Sequence, residues 1–119
     1  AGVFPVEAAT AIAERGYTGP LFNDFNWGGF LIWSLPQLPV VLDGRTNLHG
    51  EERILRIGNT WAAGPGWRDD PDLVAAGVIL ADAQSPLACV LVLDERFQLV
   101  YEDPIARVFV PRRQAAGSR

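Results

Sequence analysis

Apolar positions along this chain recur at helical spacing in some stretches and as short unbroken runs in others. Val6, Ala9, Ile12 and Ala13 fall on one face of a helix over residues 5–15. Pro5 suits its first turn and Gly16 a left-handed stop, while Glu7 and Arg15 match the helix dipole. A short strand over 20–23 follows, introduced by Thr18-Gly19. Asn26 is placed to cap a second helix over 27–35 that is apolar nearly all round and therefore buried. Gly28 and Gly29 in its first turn cost about 1 kcal/mol each against alanine, which makes sense where a backbone or ligand must come close. Pro36 and Pro39 end that helix and open a strand over 40–42.

Downstream, Ile54, Leu55 and Ile57 give a helix over 51–57 its apolar side. A Gly-Pro-Gly core makes 60–70 a loop, in which Trp61 and Trp67 either offer an exposed aromatic surface or only cap the core. Asp70-Pro71 starts a short helix that Gly77 stops, and 78–81 is a further apolar strand. Ser85-Pro86 caps a helix over 87–93, and 97–102 with 105–110 form a hairpin around Asp103-Pro104.

This order predicts a three-layer α/β fold: a mostly parallel sheet of about five strands, a C-terminal antiparallel hairpin, and helices on both faces. It predicts one domain over 1–111 with a flexible tail over 112–119. If the strands ending at Asn23 and Leu42 are parallel neighbours, their carboxyl ends share an edge, where open α/β sheets place ligand crevices. Asn23, Asp24, Asn26, Asp43 and Arg45 would then converge, with Trp27, Gly28 and Gly29 shaping the edge and His49 nearby. Two carboxylates and a guanidinium could orient a sugar, a phosphate or a metal ion. The same groups could equally pair with one another and lock two loops together.

Composition narrows the classes. With 119 residues and 49 % hydrophobic side chains, the chain can bury one core. A net charge of -4, with all ten basic residues arginine, argues against a nucleic-acid partner. No methionine occurs, so a piece of something longer or a processed chain is expected. The longest apolar run falls well short of the ~20 residues that cross a bilayer. Cys89 stands alone, which excludes an internal disulfide and a cysteine-based zinc cluster, and its apolar helix predicts a buried thiol. Neither a phosphate-binding glycine loop nor a nucleophile elbow is present, and no cofactor or metal is implied.

The runs Leu21-Phe-Asn-Asp-Phe-Asn-Trp-Gly-Gly-Phe-Leu-Ile-Trp33 and Val41-Leu-Asp-Gly-Arg45 resemble a recurrent bacterial domain. It follows the membrane spans of polytopic proteins similar to GT-C-type glycosyltransferases, which use lipid-linked sugars. The resemblance continues through Ser85-Pro-Leu87, Val100-Tyr-Glu-Asp103 and Ala106-Arg-Val-Phe109. It implies an extracytoplasmic C-terminal domain, on the outer face of the bacterial cytoplasmic membrane. Such a domain scaffolds or binds an acceptor, and the catalytic carboxylates belong to the membrane-embedded part of the same polypeptide. Its implied partners are that membrane part and a glycan or lipid-linked sugar acceptor. Where the family has an acidic residue and then a tyrosine after Asp-Gly-Arg, this chain has Asn47 and His49, so position 47 supplies no acid. The alternatives are a stand-alone α/β module binding a small ligand or protein, and a small metal-dependent enzyme using Asp24 and Asp43.

Overall fold

Helix α1 (Val6–Arg15) ends where Gly16 takes the left-handed conformation, φ 70°, and donates its N–H to the carbonyls of Ile12 and Ala13. Its buried side is Ala8, Ala9 and Ile12, whereas Val6 and Ala13 of the expected stripe are exposed. The small alanines let the helix backbone lie close to the sheet, which turns the larger Val6 outward. The computed structural model describes residues 5–23 and 51–112. The helix expected over 27–35 and the strand expected over 40–42 lie outside these residues, as does the stretch from 113 on.

Strand β1 (Leu21–Asn23) is followed in the described residues by α2 (Glu51–Trp61), a 3-10 turn (Trp67–Asp69) and α3 (Pro71–Ala75). Then come β2 (Val78–Asp82), α4 (Pro86–Leu91), β3 (Phe97–Glu102) and β4 (Ala106–Pro111). α2 runs past its expected end at Ile57, because Ile57, Thr60 and Trp61, spaced i, i+3, i+4, face the core. Leu55, counted on the apolar side, is exposed. α3 and α4 begin as their sequence signals require. Asp70 accepts the Asp72 N–H at 2.9 Å and Ser85 Oγ accepts the Ala88 N–H at 3.2 Å, each just before a proline.

The sheet corrects the expected architecture. Among the described residues it has four strands in the order β1-β2-β4-β3, of which only β1 and β2 run parallel. The expected sheet of about five mostly parallel strands is overturned by the hairpin. Its second strand, β4, pairs antiparallel with β2, so the hairpin forms half of the sheet rather than an appendage to it. Local hairpin pairing needs only the turn at Asp103–Ile105, whereas a further parallel strand needs a crossover.

Two cores lie on opposite faces. α1 packs with Leu21, Val78, Leu80, Val108 and Val110, a face of small and branched side chains. α2, α3 and α4 bring Ile57, Leu73, Leu87 and Leu91 against Phe22, Ile79, Phe97 and Phe109. Phe22 stacks on Trp61 with ring centroids 5.2 Å apart. Trp61 therefore caps the second core rather than forming open surface, and Trp67 is half-buried beside it in the same cluster. Leu87, Ala88 and Leu91 take the core side of α4, which leaves Cys89 exposed rather than buried as expected. Gly77 does more than stop a helix. A Cβ there would collide with the Thr18 carbonyl oxygen, in the turn that brings the start of β2 against the entry to β1.

Candidate functional site

Because β1 and β2 are parallel, with Asn23 opposite Leu80, their carboxyl ends lie on one edge of the sheet. Side chains alternate along a strand, so Asn23 follows Leu21, and Asp82 follows Val78 and Leu80, onto the face that α1 covers. Asn23 is fully buried and Asp82 half-buried. Asp82 holds its own loop: its carboxylate accepts the Gln84 N–H at 2.8 Å, and its carbonyl accepts the Ser85 N–H at 2.9 Å.

The hairpin turn sits on the same edge, since Asp82 pairs with Ala106 and the Ala83 N–H donates to the Ile105 carbonyl at 3.0 Å. There the Asp103 carboxylate accepts the Ile105 and Ala106 N–H groups, both at 2.8 Å, and the Tyr101 hydroxyl at 2.6 Å. Burial alone would raise the Asp103 pKa, but the bonds from Tyr101, Ala106 and Ile105 outweigh it and hold the carboxyl below its usual range. The bond to Asp103, with burial and the nearby negative charge, pushes the Tyr101 hydroxyl up to about 12. This carboxyl-end rim is thus rich in acceptors and acidic.

The opposite edge is built differently. Asp94, whose side chain is 2 % exposed, sits just ahead of β3 and accepts from Arg96 through Nε at 3.1 Å and Nη2 at 2.8 Å. The Arg96 hydrogen bond, assisted by the charges of Arg96 and Arg68, keeps the Asp94 carboxyl low against the cost of burial. Arg68 approaches the same carboxylate at 3.6 Å, and Arg96 Nη1 donates to the Arg68 carbonyl at 3.0 Å. Arg96 also lies over the Phe97 ring, 5.2 Å from its centroid. A few residues away Asp70, likewise buried, accepts Arg56 Nε at 3.1 Å and the Thr60 hydroxyl at 2.6 Å, and Arg56 pairs with Asp72 as well. These contacts pin the turn at Trp67–Asp69 between α2 and the entry to β3.

Of the residues expected at the polar edge, Asn23 lies where the sequence reading puts it, at the carboxyl end of β1. Asp24, Asn26, Trp27, Gly28, Gly29, Asp43 and Arg45 lie outside the described residues, and so does His49. On its described side β1 pairs with β2, whose Asp82 was not among the candidates. The signal was a strand end: the apolar run 78–81 is closed by an aspartate one position later. The Asp94–Arg96 pair carried no motif, since the convergence of Arg68 on it depends on tertiary packing.

Among the described residues no group of three or more His, Cys, Asp or Glu side chains is arranged to hold a metal ion, and no helix is long and apolar enough to cross a membrane. No family model, no curated protein and no solved structure matches the chain.

Proposed function

We propose that this chain is the extracytoplasmic C-terminal domain of a multi-pass membrane protein related to GT-C-type glycosyltransferases. It scaffolds or binds the acceptor beside a catalytic centre carried by the membrane-embedded part of the same polypeptide. The reading starts from the resemblance of the segments around Asn23-Asp24-Phe25-Asn26 and Asp43-Gly44-Arg45. The observation that supports it most is the parallel register of β1 and β2, which brings the strand ends at Asn23 and Asp82 to one rim.

Amide and carboxylate oxygens are acceptors suited to the hydroxyls of a glycan, and the amide of an asparagine can also donate. In this proposal Asn23, Asp24, Asn26, Asp43 and Arg45, joined by Asp82, make the polar edge. Trp27, Gly28 and Gly29 shape it. The chain supplies no catalytic residue of its own. The test is a transfer assay with a polyprenyl-phosphate sugar, comparing residues 1–119 with the full-length parent. Transfer by the parent alone is expected, and transfer by residues 1–119 in isolation overturns the division of labour.

A further inference from the structure

We draw no further inference here: the strongest candidate, the exposed apolar surface patch of Val92 and Leu93 at the turn after α4, is an unpartnered apolar face, and nothing in the structure shows what covers it.

Discussion

The two edges of the sheet use the same chemistry, carboxylates among hydrogen-bond donors, to opposite effect. On the edge before β3, buried Asp70 is matched by Arg56 from another helix, and buried Asp94 by Arg96 two residues on and by Arg68 from another turn. On the carboxyl-end rim, Asp82 and Asp103 take mainly backbone N–H groups from their own loops, and among the described residues no arginine pairs with either. The first arrangement ties distant segments together. The second fixes local loop shape and leaves acceptor capacity at the rim. Stability should therefore be concentrated on the arginine edge, and capacity for a polar ligand on the other.

Substitutions on the two edges can break that comparison. Arg96→Ala strands the buried Asp94 carboxylate and is expected to cost the most, about 2–3 kcal/mol in chemical denaturation. That lies below the usual range for breaking a buried pair, because Arg96 is partly solvated and Arg68 stays nearby. Asp70→Ala removes the α3 cap together with the acceptor for Arg56 and Thr60, and should cost about 2 kcal/mol. On the other rim, Asp82→Ala removes one exposed-side loop bond and should change stability by no more than about 0.5 kcal/mol. A larger loss at Asp82 than at Arg96 would reverse the assignment of the edges.

Acid and base sharpen the contrast between Asp94 and Asp103. Both carboxyls titrate lower folded than unfolded, so the folded state binds protons less readily. Their stabilisation is complete above the ordinary carboxyl range and fades as pH falls through it toward the lower folded values. Arg96→Ala should remove most of the Asp94 share of that acid sensitivity and leave the Asp103 share, as read from unfolding midpoints against pH. Tyr101 behaves in the other sense. Its hydroxyl is raised from 10.0 to about 12, so its contribution is complete below pH 10 and is lost as pH rises toward 12. Tyr101→Phe should abolish that alkaline component, as read from unfolding midpoints above pH 10.

Local rules in the sequence were enough for the elements that start at Pro71 and Pro86 and for the hairpin, because a cap, a proline and an Asp-Pro turn act within a few residues. The Gly16 stop was legible for the same reason. What was not legible is long-range. Nothing near 106–111 states that β4 rather than a parallel strand will lie against β2, and that pairing alone changed the fold class. The exposed faces of α1 and α4 were misjudged because alanine and leucine at neighbouring positions left two plausible stripes, and packing against the sheet chose between them. Of the polar edge, Asn23 was readable as a strand end, whereas Asp82 joins it only through the β1–β2 register.

The central claim is that the rim where Asp82 ends β2 serves a ligand rather than the fold. Transfer of a polyprenyl-phosphate sugar by the full-length parent carrying Asp82→Ala tests it most directly. The account predicts transfer reduced about tenfold, equivalent to about 1.4 kcal/mol, with the unfolding midpoint unmoved. Transfer at the unsubstituted rate by an equally stable Asp82→Ala protein would contradict it.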